Sequence, residues 1–262
     1  MRLQILQYMA TYKKTGSKAR KSQNRAEEKS TTAEVFNTLD ETASKSEQWV
    51  IKNQNVIFII LAVVVASILG FLAYQKYIKA PKEKEAANEL AFPKSYFENA
   101  LTGTVAVDSL FILGIEGADG KYGFVDISEK YSGTKAGNLA NYYAGISYLR
   151  LKDYKNAITY LEKFTSDDEL LGPTAKGAIG DAFADIDQLK DALEYYEKAA
   201  NLKDNNFSTP LFLFKAGKTA LTLEKYSKAL DLFNRIKNEY PTSMEARNID
   251  IYINKATFAS KK

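Results

Sequence analysis

Neither cysteine nor histidine occurs among the 262 residues. Without cysteine there is no disulfide, no thiolate metal site and no cysteine nucleophile. Without histidine the chain lacks the commonest general base, the commonest zinc ligand and the usual switch near neutral pH. Any catalysis would have to rest on carboxylates, lysine or tyrosine. Proline is scarce, at 5, and the single tryptophan is Trp49. Positive charge is scarce outside one region. Residues 1–79 hold twelve Lys+Arg against six Asp+Glu, whereas residues 80–262 hold 24 against 26. The larger part is therefore nearly neutral, which argues against nucleic acid as its partner, because such binding needs a clustered basic face.

One long hydrophobic run stands out, residues 56–74, VIFIILAVVVASILGFLAY. It has no charge, no proline and one glycine, Gly70. Nineteen residues at about 1.5 Å each reach roughly 28 Å, close to the roughly 30 Å hydrocarbon core of a bilayer. In lipid the backbone must satisfy itself internally, so even a run rich in Val and Ile has to be helical. Trp49 precedes the run, and Tyr74 and Tyr77 close it, as suits the two headgroup layers. The run is too long, and too far from the amino terminus, for an ordinary cleaved signal. A buried core helix would need more surrounding apolar surface than the rest of the chain offers. The pattern predicts a single transmembrane helix over 55–77, in contact with the lipid bilayer. Ser67 and Gly70 mark a face where a neighbouring helix could approach.

Before the span, Met9-Ala10-Thr11-Tyr12-Lys13-Lys14 reads as a second translation start. Residues 1–30 form a basic tail too poor in apolar groups to offset its ordering entropy, and disorder is expected there. A juxtamembrane helix is expected over 31–54. Thr31 can act as N-cap with Glu34 three residues on, a capping box. Val35, Phe36 and Leu39 follow on its apolar side. Such an amphipathic helix is either a docking element for a partner or the membrane surface, or a solvated lead into the anchor.

Two charge counts disagree on orientation. The whole tail, with ten Lys+Arg in residues 1–54, favours a cytoplasmic amino terminus. Close to the span, Lys45 and Lys52 on one side face Lys76, Lys79, Lys82, Lys84 and Lys94 on the other, which favours the reverse.

Beyond the span the reading is all-α. Pro81 is expected to end the anchor helix region, and a helical part is expected over 78–137. Asp108 could cap the segment SLFILGIE, residues 109–116, which fits either a buried helix or a strand. Gly117-Ala118-Asp119-Gly120 is a turn, and Asp-Gly would permit a hairpin. Helical spacing of Phe124, Ile127 and Tyr131 favours helix.

From Asn138 the chain repeats. Gly145, Gly180 and Gly217 are each followed twelve residues later by alanine, Ala157, Ala192 and Ala229. Four residues further on stand Leu161, Tyr196 and Phe233. The spacing predicts three helix–turn–helix units, 138–172, 173–209 and 210–242, with a closing helix within 243–262. Glycine and alanine would let each helix pair cross closely, and the large residue would pack onto the next pair. Pro173, Pro210 and Pro241 fall at unit boundaries. The pattern resembles the tetratricopeptide repeat, a helix pair of about 34 residues that stacks into a solenoid.

The first helix of each unit is expected to line a concave groove. Inward positions are Tyr142, Ile146 and Leu149, then Gly177, Asp181 and Asp185, then Phe214, Lys218 and Leu221. This set has apolar ends and an acidic middle, suited to an extended or helical segment. Tyr142 and Ile146 stand where a carboxylate-clamping repeat would need polar groups. Asp181 and Asp185, at i and i+4, have no third ligand in view, so a solvated acidic patch explains them better than a metal or acid/base pair. No cofactor, metal or catalytic residue is expected.

STTAEVFNTLDETASK (30–45), PKEKEAANEL (81–90), KYGFVDI (121–127) and GTKAGNLANYYAGISYL (133–149) resemble the YfgM-type ancillary subunits of the bacterial Sec translocon, in a Bacteroidetes version. The similarity runs from about Met9 to the carboxyl end. The resemblance implies a single-pass inner-membrane protein with a cytoplasmic amino terminus and a periplasmic repeat domain. It implies SecYEG and a PpiD-like periplasmic chaperone as partners, with nascent secreted polypeptides beyond them. The longer tail and residues 91–137 depart from that pattern. The expected function is non-enzymatic protein–protein interaction; a scaffold or holdase for another envelope assembly is the alternative.

Overall fold

The structure, a computed structural model, describes residues 31–261, with side-chain environments from Glu47 onward. The expected tail over 1–30, the Thr31–Glu34 capping box and the side chains of Val35, Phe36 and Leu39 lie outside the described residues. The chain divides into two compact units, 1–67 and 68–262. Among the described residues all elements are helical and there is no strand.

The described part of the first unit is a single helix, the larger part of α1 (Thr31–Tyr74). From Glu47 the helix is long and apolar enough to cross a membrane, and none of its apolar window is buried. Its serine hydroxyl is satisfied locally, since Ser67 Oγ donates to the Val63 carbonyl at 2.8 Å.

In the second unit the chain does not break at Pro81. A π-helical turn, Gln75–Lys79, leads directly into α2 (Ala80–Thr102). The Ala80 N–H reaches five residues back to the Gln75 carbonyl. Pro81 then occupies the first turn of α2, where a residue without an N–H is tolerated. The register change before proline is what lets the helix run on.

Next come α3 (Val107–Glu116) and α4 (Phe124–Lys130), so the ambiguous 109–116 segment is helical. Asp108 does not cap α3. The residue before the helix is Ala106, held left-handed at φ 56°, and Asp108 lies in the first turn. Asp119 and Gly120 both have positive φ, the backbone of an Asp-Gly hairpin turn, but here they join two helices. The Asp126 carboxylate accepts from the Gly123 N–H and so caps α4. Phe97, Phe111, Phe124 and Tyr143 interlock through edge and stacked contacts, tying α2, α3 and α4 to α5 (Lys135–Arg150). Phe124 and Ile127 are fully buried there.

Three helix pairs follow: α5 with α6 (Tyr154–Lys163), α7 (Leu171–Asp185) with α8 (Leu189–Leu202), and α9 (Ser208–Thr222) with α10 (Tyr226–Glu239). A short 3₁₀ turn, Glu245–Asn248, and α11 (Ile249–Ala259) cover the last pair. Each pair is joined by the same turn. Lys152, Asp187 and Glu224, each seven residues after its packing glycine, are left-handed at φ 63°, 59° and 58°. The N–H of the following residue returns to a carbonyl five residues earlier: Asp153 to Tyr148, Gln188 to Phe183, Lys225 to Ala220, each at 2.9 Å. That is a Schellman-type closure.

The packing glycines allow the close crossing the sequence predicts, and each receives a large side chain directly. A Cβ on Gly145 would lie 2.5 Å from the Leu161 side chain, and one on Gly180 2.7 Å from the Tyr196 ring. Gly217 faces Phe233 in the same way. Each large residue therefore fills the notch of its own repeat and also packs onto the next element: Leu161 clusters with Ala175 and Ile179, Tyr196 lies under Lys215, and Phe233 meets Tyr252. The notch exists because glycine has no side chain, and the large group is what makes the close approach favourable. Ala157, Ala192 and Ala229 are fully buried beside it.

Candidate interaction groove

Short polar residues set where the groove helices begin. Thr134 Oγ1 accepts from the Gly137 N–H and opens α5. Asp168 Oδ1 accepts from the N–H groups of Leu170 and Leu171, each at 2.8 Å, and opens α7. Those two bonds hold its carboxyl below the usual range. Asn205 plays the same part before α9, with Oδ1 accepting from Phe207 and Ser208. Asp168 and Asn205 each stand twelve residues before the packing glycine of their repeat.

Helix α7 neighbours both α5 and α9. Between them lies a groove of about 590 Å³. Ile146, Leu149 and Arg150 come from α5, and Ala178, Asp181 and Asp185 from α7. Leu211, Phe212 and Lys215 come from α9, and Phe207 stands just before that helix. Four of the nine positions expected to line the groove are thus together: Ile146, Leu149, Asp181 and Asp185.

The other five lie elsewhere. Tyr142 packs against Phe164 and Tyr143 and belongs to the core between the first two repeats. Burial pushes its hydroxyl pKa up. Phe214 stacks edge-on against Tyr252 of α11 and touches Phe233. Lys218 and Leu221 line a separate cavity of about 270 Å³ beside Tyr252 and Lys255. Gly177, projected as a groove position, is buried beneath the ring of Phe212 from the next repeat.

Asp181 is not a free groove carboxylate. It accepts from the Tyr196 hydroxyl at 2.6 Å and from Lys215 Nζ at 2.7 and 2.8 Å. Lys215 also lies over the rings of Tyr196 and Phe212. Burial, and then the Asp181 bond, push the Tyr196 hydroxyl far above its ordinary value. Arg150 and Asp185 are exposed and have no ion-pair partner among the described residues. They give the groove one cationic and one anionic group beside an apolar floor.

Sequence projection missed Phe207, Leu211 and Lys215. Phe207 is 73% exposed at the groove edge, an unusual place for so large an apolar ring. Its counterpart Leu170 is also exposed, and both stand ten residues before their glycines. Counting backwards from the glycines would have found this pair, because the loops vary in length upstream of it.

A larger cleft, about 770 Å³, opens between α4 and the start of α5, lined in part by Ser128, Thr134, Asn141 and Lys163. Glu83 already accepts from the N–H groups of Lys135 and Ala136 at that helix start, so no anion cradle is free there.

Stacked helix pairs with a groove along their first helices define a helical-repeat interaction protein. Two models of the tetratricopeptide repeat match the chain, one over residues 139–168 and 212–243 and the other over 173–206. Tetratricopeptide repeats are therefore present, on the three helix pairs just described. No curated protein and no solved structure matches the chain.

Proposed function

We propose that this chain is a membrane-anchored, non-enzymatic scaffold whose repeat groove holds a segment of a partner polypeptide. The observation that carries it is the groove itself: an apolar floor from three first helices, an exposed Phe207 at its edge, and the exposed charges of Arg150 and Asp185, which make no ion pair among the described residues. An extended or helical segment with an apolar anchor and charges of both signs would fit it.

The finer reading is an ancillary subunit of the Sec translocon in the bacterial inner membrane. The amino terminus is cytoplasmic, the span packs beside SecYEG, and the repeat domain is periplasmic. The groove holds a PpiD-like chaperone or an emerging secreted polypeptide. Support comes from the resemblance of residues 30–45, 81–90, 121–127 and 133–149 to YfgM-type subunits, and from a helix long and apolar enough to span.

Photocrosslinkers at Phe207 and Leu149 of the full chain test this in intact cells. Crosslinks to SecY or to a membrane-anchored periplasmic chaperone are expected. Crosslinks solely to another envelope complex would replace the translocon with that assembly. No protein crosslink at either position would overturn the groove as the binding site. Protease digestion of spheroplasts tests orientation: the repeat domain should be cut from outside.

A further inference from the structure

We propose that Lys76, Lys79, Lys82 and Lys84 form a collar that binds the phosphate groups of anionic phospholipids in the leaflet on the repeat domain's side. The inference rests on residues 56–74 being a membrane span.

The sequence alone leaves this stretch ambiguous, because Glu83 and Glu85 alternate with the lysines and would be expected to neutralise them. The structure assigns both carboxylates elsewhere. Glu83 Oε1 accepts from the Lys135 N–H at 2.8 Å and the Ala136 N–H at 3.3 Å, and Oε2 accepts from Lys135 at 3.0 Å. Glu83 thus serves the positive end of α5. Glu85 Oε1 accepts from the Tyr131 hydroxyl at 2.7 Å and lies 3.8 Å from Lys130. The four lysines are all exposed and make no ion pair among the described residues. Four cations are left without an ion-pair partner among the described residues, beside two carboxylates whose hydrogen bonds go to the fold.

Position selects lipid over a soluble acidic partner. The helix continues unbroken from the span through the π turn, so distance along it is simple. Lys76 and Lys79 stand two and five residues beyond Tyr74, roughly 3 and 8 Å at about 1.5 Å per residue. Lys82 and Lys84 follow within roughly 15 Å, and lysine stems reach back several ångströms. A headgroup layer is roughly 5–8 Å thick, so Lys76 and Lys79 stand within it and the stems of Lys82 and Lys84 reach back toward it. Tyr77, 72% exposed, and the exposed Ile78 stand among the lysines, an apolar and aromatic setting that suits the interface and not open water. Lysines this close to an anionic surface lie within a Debye length of it.

The test reconstitutes the full chain into bilayers of phosphatidylcholine with phosphatidylglycerol. Spin-labelled versions of each lipid report relative association by electron paramagnetic resonance. Wild type should prefer phosphatidylglycerol, with the preference falling as salt rises. The basic tail adds its own attraction, so the comparison that decides is between variants. Gln at Lys76, Lys79, Lys82 and Lys84 should lower the preference about two-fold or more, and Arg at the same positions should retain it. An unchanged preference in the Gln variant overturns the collar, as does loss of the wild-type preference on adding inorganic phosphate at matched ionic strength. Alkaline carbonate extraction reads the anchor separately. Wild type released by carbonate overturns anchor and collar together, whereas wild type retained without lipid preference overturns the collar alone.

Discussion

Lys215 reaches across from the third repeat to the second and places Nζ 2.7 Å from one oxygen of Asp181 and 2.8 Å from the other. The Tyr196 hydroxyl holds the same carboxylate. Two charges and a phenol thus join α7, α8 and α9 at the edge of the groove. Both charged side chains are about one-third exposed, so solvent moderates the attraction.

Asp181→Ala should lower stability by about 1–2 kcal/mol, because it leaves a half-buried ammonium and a phenol without their acceptor. Lys215→Met should cost less, since the carboxylate keeps its tyrosine bond. Urea unfolding of the full chain in mild detergent, with the double variant closing the cycle, measures the coupling. Strict additivity would sink the idea of a shared clasp.

Gly180→Ala should destabilise by about 1–3 kcal/mol, because the new methyl would meet the Tyr196 ring. Gly70→Ala, where nothing lies within 4 Å, should be close to neutral in the same unfolding experiment. Equal losses at Gly180 and Gly70 would contradict the notch.

The three left-handed turn residues predict a gain. Asp187→Gly and Glu224→Gly should each raise stability by about 0.5–1 kcal/mol, because glycine adopts positive φ without a Cβ penalty. A fall in the unfolding midpoint would show that these side chains contribute contacts outweighing their backbone strain.

Tyr195 and Tyr240 are each pushed up to about 12, by burial first and then by hydrogen bonds to Glu162 and Asp204. In the unfolded chain both titrate near 10. The folded state therefore holds these protons longer, and the stabilisation is whole below about pH 10 and lost as pH rises through about 12. Tyrosinate absorbance should show a late-titrating pair. Glu162→Gln should bring Tyr195 down while Tyr240 stays; an unmoved late step would refute the assignment.

The helix pairs were legible because close helix packing demands a small residue opposite a large one at fixed separation. Gly180, Ala192 and Tyr196 carry that demand in the sequence itself. The groove was legible only in part. A helical projection assigns Gly177 and Phe214 to a face, yet whether that face is open depends on the next element in the stack. Phe212 covers Gly177 and α11 covers Phe214, and neither neighbour follows from the periodicity of a single helix. The π turn escaped notice for a similar reason, since Pro81 alone signals a break and only the register of the preceding turn reveals a continuation.

Because each glycine notch is filled from within its own repeat, the repeats are separable as parts. A duplicated or deleted helix pair would carry its own glycine lock with it. What must also match between neighbours is a seam: the ring of Phe212 over Gly177, the charge of Lys215 against Asp181, and the hydroxyls of Tyr195 and Tyr240 on Glu162 and Asp204. Lineages could lengthen or shorten such an array while editing only the seams. Change would then concentrate at the joins between modules, where the groove lies.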